Sequence, residues 1–231
     1  MKIGIIGAGN IGTALTRRFA AVGHQVFVAN SRGPATLGAL AAETGATAVT
    51  AHEAARHGDV VVVTIPEKAI AHLPRDLFAG VAESVVVVDT GNYYPRQRDG
   101  RIEAIEAGLT ESVWVAQQLG RQVVKAFNNI YAKHLHENGQ PAGTHGRIAL
   151  PLAGDDKAAK AIVATLIDEI GFDPVDAGTL AQSWRQQPGT PVYGKDFDAE
   201  GVRRALAEAS PERTAEWQGT AASPGDAAKA A

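Results

Sequence analysis

Lys2-Ile3-Gly4-Ile5-Ile6-Gly7-Ala8-Gly9-Asn10-Ile11-Gly12-Thr13 decides the fold. The apolar run Ile3 to Ile6 passes straight into Gly-x-Gly-x-x-Gly, and the glycines open the helical pattern of Asn10 to Val22. Strand, glycine turn and helix in this order form a dinucleotide-binding unit. Gly7 permits the tight turn, Gly9 lets a pyrophosphate approach the backbone, and Gly12 lets the helix pack close to the sheet. The helix N-terminus adds unpaired N–H groups and a partial positive charge. The glycine spacing alone would also suit an ordinary turn, so its place between a strand and a helix carries the argument.

Outward from this unit, Val26 to Ala29, Val60 to Ile65 and Val85 to Val88 are continuous apolar runs, the mark of strands covered on both faces. Helical patterns separate them at Pro34 to Thr44, near His52 to Arg56, and at Glu67 to Phe78. The rhythm continues with strands at Gln122 to Phe127, Arg147 to Leu152 and Pro174 to Asp176. Helices are expected at Ile130 to Glu137, Asp156 to Ile170 and Ala199 to Ala209. Asp155 or Asp156 caps the second of these, and Gly171 stops it. Trp184 to Gly194 reads as a Pro/Gly-rich loop. The expected fold class is therefore α/β: a doubly wound, mostly parallel Rossmann sheet extended by extra strands, with C-terminal helices.

A chain specific for NAD usually carries an acidic residue about 20 positions beyond the glycines. Here Asn30-Ser31-Arg32 follows the second strand. Arg32 can pair with a 2′-phosphate and Ser31 can donate a hydrogen bond to it, so NADP(H) is the expected cofactor. The same residues would also suit a polar turn before a helix begun by Pro34. Ligands of such a sheet gather beyond the carboxyl ends of its strands. The residues there are Thr64-Ile65-Pro66, Thr90-Gly91-Asn92 and Phe127-Asn128-Asn129. Ile65-Pro66 could support a nicotinamide face, and the asparagines could bond its carboxamide or a substrate.

The remaining composition narrows the class. With no cysteine among 231 residues, disulfides, thiolate metal sites and a cysteine nucleophile are excluded. A net charge of −3 with no basic stripe argues against nucleic acid. No apolar run approaches a membrane span and no signal region precedes the first strand, so a cytoplasmic location is expected. The histidines show no metal-ligand spacing, with His134 and His136 pointing apart on one helix. No Gly-x-Ser-x-Gly nucleophile occurs. Residues 1–180 are expected as the NADP-binding domain, 181–219 as a loop and helices completing the cleft or an interface, and 220–231 as a mobile tail.

Together, Lys2 to Thr13, Asn30-Ser31-Arg32, Val124-Lys-Ala-Phe-Asn-Asn129, Ala153-Gly-Asp-Asp156 and Asp176-Ala-Gly178 resemble the deazaflavin (coenzyme F-420) dependent NADP oxidoreductases, over residues 2 to 180. The Lys-Ala-Phe-Asn stretch is also similar to the NADPH-binding domain of the STEAP metalloreductases. The resemblance implies hydride transfer between NADP(H) and a deazaflavin or flavin ring. It also implies that Gly7 to Gly12 hold the pyrophosphate, that Ser31 and Arg32 hold the 2′-phosphate, and that Ile65 and Phe127-Asn128-Asn129 border the two rings. Such transfer needs positioning more than acid-base help. Trp184, Arg185 and Tyr193 are the loop residues able to stack on or clamp an acceptor, with Asn128 and Asn129 beside them. A small imine or carbonyl acceptor would need a proton donor, for which Tyr93, Tyr94, Lys125 and Tyr193 are the candidates. A third reading is an NADPH sensor without turnover. The apolar Ala199 to Leu206 helix could then serve a partner, although a homodimer contact is the first use expected of it.

Overall fold

A computed structural model describes residues 1–220, 222 and 223. All but three positions of the expected tail lie outside that set. The first sheet contains β1 (Lys2–Ile6), β2 (Gln25–Ala29), β3 (Thr47–Ala48), β4 (Val60–Val63), β5 (Val86–Asp89) and β6 (Val123–Lys125), in the order β3-β2-β1-β4-β5-β6. All its pairings are parallel. The order reverses beside β1, which puts the glycine turn at the crevice where a doubly wound sheet binds its ligand. The β-branched runs explain the layers: Val60 to Val63 are all buried, covered on both faces as their unbroken hydropathy requires. A second sheet pairs β7 (Ala149–Leu152) with β8 (Asp173–Asp176), also in parallel. It joins the first through reciprocal backbone bonds between Lys125 and Ala153, at 2.8 and 3.0 Å. These are the expected extra strands.

The helices are α1 (Asn10–Ala21), α2 (Gly38–Thr44), α3 (Ala51–His57), α4 (Glu67–Ile70), α5 (Glu103–Glu106), α6 (Glu111–Leu119), α7 (Ala132–Glu137), α8 (Lys157–Glu169) and α9 (Ala199–Ala207). Side chains cap the starts of α3, α8 and α9. Thr50 and Glu53 form a reciprocal capping box on α3, and Asp156 accepts from the N–H groups of Ala158 and Ala159.

Three expectations are corrected, and one further stretch gains helices. The helix expected over Glu67 to Phe78 ends at Ile70, because Pro74 lies within its second half and turns replace it. The stretch 92–121, where the pattern predicts no element, contains α5 and α6. The loop after Trp184 is preceded by a 3-10 turn at Leu180–Gln186, begun by a Thr179–Gln182 capping box. Finally, the apolar face of α9 is occupied within the chain. Val202, Ala205 and Leu206 are buried with Ala149, Val175 and Val192 against the second sheet. That face is not open to a partner.

Candidate active site

The glycine turn has the geometry its residue types call for. Gly7 lies at φ 115°, where L side chains are strained, and its N–H donates to the carbonyl of Ala29 at 2.9 Å. A Cβ at Gly12 would collide with the carbonyl oxygen of Gly7, whereas one at Gly9 would enter open space. Gly12 is thus required by the packing of α1, and Gly9 leaves an open cradle at a helix N-terminus, where an anion is favoured. This is the fit expected for the pyrophosphate of a dinucleotide.

At the end of β2, Asn30 holds its own turn. Its Oδ1 accepts from the N–H of Arg32 at 3.0 Å, and its Nδ2 donates to Thr36 Oγ1 at 2.9 Å. Asn30 therefore shapes the loop, while Ser31 and Arg32 stay exposed. No arginine ion pair among the described residues involves Arg32.

A cavity of about 410 Å³ runs from the glycine turn along the strand ends, and Asn30, Ser31 and Arg32 lie outside its lining. Gly9, Asn10 and Ile11 line it with Thr64, Ile65, Pro66, Thr90, Gly91, Asn92, Asn128 and Tyr193. Most of the expected cofactor residues thus meet in one cleft. Tyr94, Arg98, Ile130, Tyr131 and Ala132 complete its wall. Arg98, Tyr131 and Ala132 had no signal in motif or spacing, because only the folding of the 92–99 segment and α7 brings them to the strand ends.

Several expected residues lie elsewhere. Phe127 is fully buried at φ 62° and meets Phe19 edge-on at 6.3 Å. Its left-handed backbone sends the ring into the core while Asn128 reaches the cleft. Asn129 is buried too, and its carbonyl accepts from Gly194 N–H at 2.8 Å. Trp184 lines a separate cavity of about 660 Å³ with Arg101, Glu106 and Arg213, so it does not border the cleft.

The amides expected to read a carboxamide are largely committed to each other. Asn92 Nδ2 donates to the Asn128 carbonyl and Asn128 Nδ2 to Asn92 Oδ1, each at 2.9 Å, while Gln186 Nε2 donates to Asn128 Oδ1 at 2.9 Å. This network ties the β5 and β6 turns together beneath the cleft.

The four proton-donor candidates also separate. Tyr93 is fully buried, donating to Glu106 at 2.9 Å and accepting from Ile102 N–H at 2.8 Å. Lys125 is fully buried against Asp89. Burial favours its neutral form, but Asp89, Glu67 and Glu111 outweigh that and raise its pKa. Tyr94 and Tyr193 do line the cleft, with their hydroxyls hydrogen-bonded to each other. Burial, then the bond to Tyr94, raises the pKa of Tyr193. Trp217, from the C-terminal segment, packs on both rings, at 5.9 Å from Tyr94 and 6.3 Å from Tyr193.

Beneath the Thr90–Asn92 floor lies a buried acidic cluster that the linear sequence did not mark. Glu67 is fully buried with both carboxylate oxygens unpartnered, and burial followed by the charge of Asp89 raises its pKa well above the usual carboxylate range. Glu111 is pushed up to about 7 by burial, against the pull of Arg213 and Lys125.

Known proteins share this frame. Residues 2–93 match the family model described as NADP oxidoreductase, coenzyme F420-dependent. The YjhV protein of Escherichia coli (strain K12) is 48% identical over 69 residues, which cover 30% of this chain and half of that protein. A candidate F420-dependent NADP reductase of Arthrobacter sp. FB24 is 24% identical, with 79% of this chain and 87% of that one covered at a TM-score of 0.63, a likeness of fold. The hypothetical protein SMa0349 of Sinorhizobium meliloti is 34% identical over 85% of this chain and 94% of its own, with a TM-score of 0.71. This chain belongs to one family with SMa0349, and its residues 2–93 match the coenzyme F420-dependent NADP oxidoreductase model.

Proposed function

We propose that the chain is an NADPH-dependent oxidoreductase that passes hydride to a flavin-like ring, a deazaflavin or a flavin, held in the cleft. The observation that carries this is the convergence of the glycine cradle with the Thr64–Pro66, Thr90–Asn92 and Asn128 turns on one cavity. When bound, NADPH supplies the hydride. Gly9 and the N-terminus of α1 hold the pyrophosphate, Ser31 and Arg32 the 2′-phosphate, and Ile65 and Pro66 offer an apolar ledge for a nicotinamide ring. The asparagine network fixes the floor, so that the chain contributes orientation rather than a proton. The match to the F420-dependent model supports this acceptor class.

A second reading, reduction of a small imine or carbonyl, has one feature in its favour: the paired hydroxyls of Tyr94 and Tyr193 on the cleft wall. The deciding experiment is anaerobic NADPH oxidation, followed at 340 nm, against FMN, FAD, a deazaflavin and simple imines, with NADH as control. Turnover of a flavin-like acceptor is expected, with Tyr94→Phe and Tyr193→Phe each costing little. Turnover of imines alone, with a large loss in one tyrosine variant, would establish the second reading. Tight NADPH binding without turnover would identify a sensor.

A further inference from the structure

Beyond the tyrosine pair, the cleft wall carries a guanidinium that neither the glycine motif nor the family resemblance assigns. Arg98 lies with its Cζ 4.8 Å from the centre of the Tyr94 ring and lines the same cavity as Tyr193 and Asn128. It is held from behind. Its Nε and Nη2 donate to Asp99 at 3.0 and 2.9 Å, and Nη2 also donates to the carbonyl of Asn92 at 2.5 Å. Asp99 has no exposed side-chain surface. It also accepts from the N–H groups of Tyr94, at 2.8 Å, and Lys68, at 3.3 Å. A carboxylate engaged this way orients the guanidinium and shares its negative charge with two backbone donors as well. Nη1 is the nitrogen left over: among the described residues it donates to none, and the Arg98 side chain retains 35% of its exposure.

Resting on the reading of the cleft as the hydride-transfer site, we propose that Arg98 selects an acceptor bearing an anionic group, carboxylate or phosphate, which Nη1 binds beside the Tyr94 ring. Three features make the position suited to this. The phosphates of the dinucleotide already have their own sites at the glycine turn and at Arg32, so this cation is not needed there. The amides of Asn92 and Asn128 are committed to each other, which leaves Arg98 as the one charged residue lining the cleft among the described residues, beside Tyr94, Tyr131 and Tyr193. A guanidinium fixed on one edge by a buried carboxylate also loses little further freedom on binding an anion at its remaining nitrogen.

The test uses matched pairs that differ in the anion: FMN against riboflavin, and Δ1-pyrroline-2-carboxylate against Δ1-pyrroline. Each is titrated by calorimetry into the full chain saturated with NADP+, so that the readout does not depend on turnover. The anionic member of one pair is expected to bind at least about ten-fold more tightly than its neutral partner, the range of one charged hydrogen bond. Arg98→Gln should bring that ratio to within about two-fold, and Arg98→Lys should keep part of it. A phosphate source shows in the flavin pair and a carboxylate source in the pyrroline pair. Equal binding within both pairs, no binding by any of the four, or a preference that survives Arg98→Gln would each overturn the proposal. Charge-selective binding without NADPH oxidation would instead sink the hydride-transfer reading and leave the anion site standing.

Discussion

Lys125 Nζ lies 3.0 Å from Asp89 Oδ2 and 2.5 Å from the carbonyl oxygen of Gly91, while Asp89 Oδ1 accepts from the Gly91 N–H at 2.8 Å. One buried ion pair thus grips both polar groups of a residue in the cleft floor. Ser112 donates to the same Asp89 Oδ2 at 2.7 Å. Removing the cation would leave Asp89 charged and without its main partner in the interior, a loss of about 3 to 5 kcal/mol for a broken buried pair. Lys125→Met is therefore expected to lower unfolding stability by that order in urea titrations. The double variant Lys125→Met with Asp89→Asn should recover at least half of it. A double variant as unstable as the single one would show that the pair is not the source.

The acidic cluster beside this pair predicts a pH dependence. The folded-state pKa of Glu111, about 7 against an ordinary 4.5, is raised, chiefly by burial. Between these values the folded chain holds a proton that the unfolded chain has released. The contribution of Glu111 is thus fully present below pH 4.5 and is lost as pH rises through about 7. The shift corresponds to about 3 kcal/mol at most. Denaturant titrations at pH 5, 6, 7 and 8 should show Glu111→Gln gaining stability relative to wild type as pH rises. A difference independent of pH would mean that Glu111 titrates in the ordinary range.

The parts of this fold that could be read in sequence are those governed by local pattern. Val60 to Val63 and Ile3 to Ile6 announce buried strands because parallel sheets need unbroken hydropathy, and Gly7 and Gly12 announce the turn because backbone sterics admit little else there. Trp184 could not be placed in this way: as an aromatic in a Pro/Gly-rich stretch it looked like a clamp, yet the 3-10 turn aims it at another cavity. Glu67 opens an expected helix and nothing in the local pattern marks it as buried, yet the fold brings Gly91 against its carboxylate and leaves it without exposure. Arg98 carries no pattern of its own, since only the folding of the 92–99 segment turns it to the cleft, and the neighbours of Trp217 lie far away in sequence. Trp217 meets Tyr94 and Tyr193 only when the C-terminal segment crosses to the cleft.

The glycines of the turn should separate binding from folding. Gly9 has φ −79° and ψ −164°, a conformation open to other residues, and faces open space. Gly9→Ala is expected to leave unfolding stability within about 0.5 kcal/mol, as for an uncrowded surface position. It should nonetheless weaken NADPH binding at least about ten-fold by occupying the pyrophosphate cradle. Gly12→Ala should instead lower stability by about 1 to 3 kcal/mol, since its Cβ meets the Gly7 carbonyl. Parallel losses of stability and affinity in both variants would contradict this division.

On the proposed function, cofactor choice rests on Arg32. The absence of a carboxylate at the end of β2 removes a repulsive charge from the position of a 2′-phosphate, and Asn30 Oδ1 fixes the Arg32 N–H so that the exposed side chain departs from a defined turn. A charge-assisted hydrogen bond contributes about 1.5 to 3 kcal/mol. Arg32→Ala is therefore expected to weaken NADPH binding by that amount in calorimetric titration and to leave NADH nearly unchanged, because NADH presents only a 2′-hydroxyl. Equal losses for the two dinucleotides would mean that Arg32 supports the loop itself, and the 2′-phosphate would have to be sought at Ser31 or on the exposed first turn after Gly33.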